Sequence, residues 1–129
     1  MMPDFRKLLN RIIEDVRTRQ SLDQFTEDEL HSVLDATIRM LKPLPVLIDV
    51  DVPVTIFGDI HGHLSDLRTF LARVSHHPSS SRLLFLGDYA DRGAKGLEVL
   101  FLLFSLKLLY PKRVDMLRGN HETAPVNEW

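Results

Sequence analysis

The chain has 129 residues, a formal net charge of −2, 44% hydrophobic and 26% charged residues, and no cysteine. That is enough for one domain with its own core, and the charge balance gives no footing for nucleic acid or an anionic membrane surface. Without cysteine there is neither a disulfide nor a thiolate site, so any metal must be held by His, Asp, Glu or Asn.

The opening "MMPDFRKLLN" carries an early acid and lacks the apolar stretch of a signal peptide. From Asp4 to about Arg19, residues Phe5, Leu8, Leu9, Ile12, Ile13 and Val16 recur at helical spacing, which predicts an amphipathic helix. "QSLDQF" breaks it. Thr26 then stands three residues before Glu29, a capping-box pattern, and Leu30, Val33, Leu34, Thr37 and Leu41 extend a second helical face until Pro43 and Pro45 end it.

From Val46 the period changes. "VLIDVDVPVTIFGD" is rich in β-branched residues, and Pro53 within it predicts two short strands or a kinked edge. "SRLLFLGD" and "KRVDMLRGN" are two further strand-like runs that end at glycine. Helical stretches lie between them, His63 to Val74 and Ala94 to Tyr110, the second apolar nearly all round and so expected to be buried on two sides. Its run Val99 to Phe104, the longest apolar run, is far short of a membrane span. Strand, helix, strand, helix, strand predicts a parallel βαβαβ unit in an α/β fold. "SHHPSSS" (75–81) reads as a polar surface loop, and the leucine-rich stretch 97–109 as core.

Five of the six glycines fall just past the three strand-like runs, in GDIHG (58–62), GDYADRG (87–93) and GNHE (119–122). Ligands of parallel α/β sheets bind outside the carboxyl ends of the strands, so these motifs deliver Asp59, His61, Asp88, Asp91, Arg92, Asn120, His121 and Glu122 to one rim. Asp59 and His61, two residues apart, can point into one crevice. Asp88 can bridge two cations, and Asn120 offers a neutral carbonyl oxygen. Mixed O and N donors without sulfur suit Mn, Fe or Zn, and two ions about 3.5–4 Å apart can clamp both oxygens of an in-line displacement. His121 is placed to donate a proton to a leaving group, with Asp91 able to orient its imidazole. Arg92 is a fork suited to phosphate oxygens. The set is that of metal-assisted phosphate-ester hydrolysis.

Each motif alone is also an ordinary strand-terminal turn. Three of them, glycine-flanked and acidic on three successive strand ends, are not explained by turn chemistry. Arg118 and Glu122 read as structural, in ion pairs or backbone hydrogen bonds. His31, His63, His76 and His77 read as solvated or lightly packed.

GDIHG, GDYADRG and LRGNHE, in this order and at these separations, resemble the phosphoprotein phosphatase family of calcineurin-like metallophosphoesterases, most closely its type 1 serine/threonine branch. The resemblance extends over nearly the whole chain. It implies the N-terminal half of a four-layer α/β/β/α sandwich, divided into a helical lead-in (1–45) and a motif-bearing βαβαβ core (46–129), with the C-terminal half absent. It implies two divalent ions, manganese first and iron or zinc next. Asp59 and His61 would bind the first, Asp88 both, and Asn120 the second. His121, assisted by Asp91, would protonate the leaving serine or threonine oxygen, and Arg92, Asn120 and His121 would contact the substrate phosphate. Attack on phosphorus would come directly from a metal-bridged hydroxide, with no phosphoenzyme. Phosphoprotein substrates, regulatory subunits and an intracellular setting, cytoplasmic or nuclear, follow; nucleic acid and membrane do not.

Three departures stand out. His63 replaces the usual Gln, Ala90 the usual Val, and the family's later half, with two more His ligands and another phosphate-binding Arg, does not follow Trp129. The second metal site is therefore expected to be incomplete, and the chain alone to be unstable or aggregation-prone and, without those ligands, weakly active or inactive. Two other functions fit the motifs, a dinucleoside-polyphosphate hydrolase and a catalytically dead partial paralogue acting as a binding module.

Overall fold

A computed structural model of the chain describes residues 1–75 and 82–127. Its element order is α1 (Pro3–Arg19), α2 (Glu27–Leu41), β1 (Val54–Phe57), α3 (Leu64–Ser75), β2 (Arg82–Phe85), α4 (Gly96–Leu109), β3 (Val114–Met116), a 3₁₀ turn (Asn120–Glu122) and α5 (Ala124–Asn127). The helices form where the apolar period is 3.6. Leu8, Leu9, Ile12 and Val16 of α1 are buried, as are Val33 and Thr37 of α2. Thr26 caps α2 as its sequence predicts: its Oγ1 accepts from the Glu29 amide at 3.1 Å, and its own amide donates to Glu29 Oε1 at 3.1 Å. Arg11 ties the two helices, pairing with Glu29 at 3.1 Å and lying over the Phe25 ring.

The strands make one parallel sheet in the order β1-β2-β3, with Phe57 beside Phe85 and Phe85 beside Met116. Helices α3 and α4 contact each other, and α4 contacts β3, the arrangement that two successive right-handed crossovers in this strand order produce. On one face of the sheet Phe57 and Phe85 stack at 4.5 Å within the core. Helix α4 is buried over most of its surface from Val99 to Leu109, with Leu100, Phe104 and Leu106 partly buried, because it packs against α1 and α2 as well as β3. That is the two-sided burial expected of an all-apolar helix. The opposite face of the sheet carries Ile56 and Leu86, both exposed.

Only one strand forms in the 46–57 stretch. It begins at Val54, directly after Pro53, which has no N–H to give a ladder. At the entry end of the sheet, buried Lys107 donates to the Pro111 carbonyl at 2.8 Å and the Val114 carbonyl at 2.6 Å, fixing the turn from α4 into β3. Burial pulls its pKa down from the ordinary lysine value, partly opposed by Asp115. The 75–81 loop, with His76 and His77, lies almost wholly outside the described residues.

Candidate metal centre

Because the sheet is parallel, the segments after Phe57, Phe85 and Met116 leave from one rim. Main-chain bonds lock the first two together: the Ile60 and His61 amides donate to the Asp88 carbonyl at 3.0 and 2.9 Å, Gly62 donates to Tyr89 at 2.9 Å, and Gly93 donates to His61 at 2.7 Å. This packing requires glycine, as two positions show. A Cβ on Gly87 (φ +118°) would collide with the Gly119 backbone, and one on Gly93 with the His61 carbonyl. His61, Asp88, Asp91 and Arg92 all adopt left-handed backbone, with φ between 47° and 76°. Such strain persists only where surrounding contacts over-determine it, and it gathers at functional sites.

His61 is buried, and its Nδ1 lies 3.2 Å from the Ala90 carbonyl. A carbonyl only accepts, so Nδ1 donates to it and Nε2 is left facing the rim. There Nε2 is 3.6 Å from Asp59 Oδ2 and 3.9 Å from Asp88 Oδ2. Asp88 is buried too, and its Oδ1 accepts the His121 amide at 2.9 Å. His121 Nδ1 lies 3.3 Å from Asp91 Oδ2, which leaves its Nε2 free, and the two imidazoles meet edge to face at 4.7 Å. Ligand-type atoms of His61, Asp88 and His121 all fall within 4.8 Å of one another, a group able to hold a metal ion.

The structure thus brings together Asp59, His61, Asp88, Asp91 and His121. Asn120 and Arg92 stand on the same rim, but among the described residues their side chains make no hydrogen bond or ion pair; Arg92 is exposed. His31 and His63 are exposed, as expected of solvated histidines. Glu122 bonds backbone amides, the structural role expected of it. Two supports escaped sequence reasoning. The Ala90 carbonyl has no side-chain signal at all. Tyr89, two positions after Gly87, is buried with its hydroxyl 2.6 Å from the Leu117 carbonyl, tying β2 to β3; burial, then the Glu122 and Asp88 carboxylates, push its phenol well above the ordinary value. A 640 Å³ cavity between α1 and the end of α4 lies away from the rim, so converging donors rather than cavity size mark the site.

The model of the calcineurin-like phosphoesterase family matches residues 52–128, the span holding all three strands and all three motifs. The chain belongs to that family. It is 42% identical over 124 residues to a Caenorhabditis elegans protein named provisionally as a serine/threonine-protein phosphatase, covering 96% of this chain and 27% of that protein. It is 42% identical over 120 residues to the serine/threonine-protein phosphatase 4 catalytic subunit of Kluyveromyces lactis, covering 93% and 38% respectively. A solved Saccharomyces cerevisiae serine/threonine phosphatase with similarity to human PP5 superposes with a TM-score of 0.80 at 23% identity, over 92% of this chain and 40% of that one. At that identity the likeness concerns the fold: the helices and three-stranded parallel sheet match the N-terminal part of a phosphatase. This calcineurin-like phosphoesterase spans less than half the length of each of these relatives.

Proposed function

We propose that the chain is the N-terminal part of a metal-dependent protein serine/threonine phosphatase, with residues 1–45 as a helical lead-in and 46–129 as the part that bears the centre. The observation that carries this reading is the His61–Asp88–His121 group, held on three strand ends with His61 Nδ1 turned to the Ala90 carbonyl and Nε2 to the rim. The donor set fits a divalent ion. Two donors bound at about 2.1 Å to one ion lie about 3.4–3.6 Å apart at tetrahedral to trigonal angles, and Asp59 Oδ2 and His61 Nε2 are 3.6 Å apart, too far for a hydrogen bond between them. Nitrogen and oxygen donors suit manganese, iron or zinc. Asp59, His61 and Asp88 would hold the first ion; Asp88 and Asn120 are what this chain offers a second.

Such ions, when bound, supply Lewis-acid polarisation of the phosphate and activation of water. The chain's own residues do the rest. Arg92, exposed at the rim, binds phosphate oxygens as a bidentate fork, with Asn120 beside it. Water oxygen bonds to phosphorus as the bond to the serine or threonine oxygen breaks. His121 gives its Nε2 proton to that departing oxygen, and Asp91 holds the ring through Nδ1. The products are the free hydroxyl side chain and inorganic phosphate. Buried neighbours around His61 and Asp88 keep both fixed during the reaction. An intracellular setting, with phosphoproteins as substrates and regulatory subunits as selectors, belongs to the same proposal.

Release of phosphate from a phosphoserine peptide, measured with manganese beside a dinucleoside tetraphosphate, tests it. Metal-dependent release from the peptide alone is expected. Cleavage of the dinucleotide instead would make the chain a dinucleoside-polyphosphate hydrolase, and metal binding with neither activity would make it a binding module.

A further inference from the structure

We propose that Glu122 is the positioning residue of the centre, the group that sets the distance between Asp88 and His121; this rests on the metal-centre reading above. Its carboxylate takes three main-chain amides from two different loops. Oε2 accepts from Asp88 at 2.7 Å and from Gly119 at 2.8 Å, and Oε1 accepts from Tyr89 at 2.9 Å. Asp88 returns the bond, its Oδ1 accepting the His121 amide at 2.9 Å. Each loop therefore holds the other through a carboxylate and an amide, at a contact so close that a Cβ on Gly119 would collide with the Asp88 carboxylate.

The chemistry of the clamp explains why a carboxylate is needed. Three N–H donors converge on two oxygens, and only an ionised acid offers acceptors on both. A glutamine has one acceptor oxygen, and its NH₂ would face an amide N–H in either orientation. Asp88 sits at φ 55°, a conformation that needs outside support. Its amide is held by Glu122, and its Oδ1 by His121, which leaves Oδ2 directed at His61 Nε2. Loss of the clamp frees the Asp88 turn and lets the two loops separate.

The test measures Mn²⁺ affinity by electron paramagnetic resonance of the free ion, and hydrogen exchange by mass spectrometry, on the full 129-residue chain. Glu122→Gln is expected to bind Mn²⁺ about 10–100-fold more weakly, with faster exchange in segments 86–90 and 118–122 and unchanged exchange in α1 and α4. Arg118→Ala serves as the control, since Arg118 Nε donates to the Glu122 carbonyl at 2.8 Å and not to its carboxylate, so the change leaves the clamp in place; its Mn²⁺ affinity should stay that of the unsubstituted chain. Should Glu122→Gln lose its helical circular dichroism, Glu122→Asp, charged but one methylene short, is judged by the same criterion. Unchanged Mn²⁺ affinity in a folded Glu122 variant, or equal weakening by Arg118→Ala, overturns the proposal. If the unsubstituted chain binds no Mn²⁺, the proposed function falls, and the clamp is then judged on the exchange pattern alone.

Discussion

His61 and His121 are oriented by different acceptors, and the difference assigns their work. His61 turns Nδ1 to the Ala90 carbonyl and Nε2 to the rim, whereas His121 turns Nδ1 to the Asp91 carboxylate, which orients its ring. Asp91→Asn is therefore expected to lower turnover of a phosphoserine peptide about 100-fold while leaving Mn²⁺ affinity unchanged. The loss should be smaller on p-nitrophenyl phosphate, whose leaving group needs less protonation; an equal loss on both substrates would remove His121 from the acid role. These residues were legible in the sequence because glycine and acid marked each strand end. Their backbone was not. Left-handed φ at His61, Asp88, Asp91 and Arg92 comes from loop-to-loop bonds between residues about 30 positions apart, which no local pattern encodes.

At the scale of elements, the second helix shows how far a local rule reaches. The Thr26 backbone bond, and then Arg11, hold the Glu29 carboxyl below its ordinary value of 4.5. The folded chain then binds fewer protons than the unfolded chain near that pH, so the stabilisation is complete above 4.5 and is lost as pH falls through the lowered value. Thermal melts of Glu29→Ala should fall below those of the unsubstituted chain at pH 7, and the gap should close under acid. A gap that stays constant with pH would contradict this. The cap, the helical faces and the buried α4 were all readable because they depend on neighbours within one or two turns. The 46–53 segment was not: its β-branched residues favour strand, but the ladder partner and Pro53 decide where a strand starts, and it starts at Val54.

At the scale of the whole molecule, the sheet face opposite Phe57 and Phe85 is open among the described residues, with Ile56 58% and Leu86 43% exposed. A parallel sheet is ordinarily covered on both faces, and an apolar face of this kind invites association. Sedimentation of the 129-residue chain should show concentration-dependent self-association that Ile56→Lys with Leu86→Lys reduces; a monomer at all concentrations, indifferent to both changes, would contradict the expectation. The run of strand, helix, strand, helix, strand was readable in the sequence, but the spatial order β1-β2-β3, on which the placing of the helices depends, was not.

The proposed phosphatase chemistry requires that three strand ends build one metal centre. Equilibrium Mn²⁺ binding to the chain and to Asp88→Asn, followed by electron paramagnetic resonance, asks that directly. At least one bound ion per chain is expected, lost in Asp88→Asn although the variant keeps its helical circular dichroism. No binding, or binding that Asp88→Asn leaves unchanged, would contradict it.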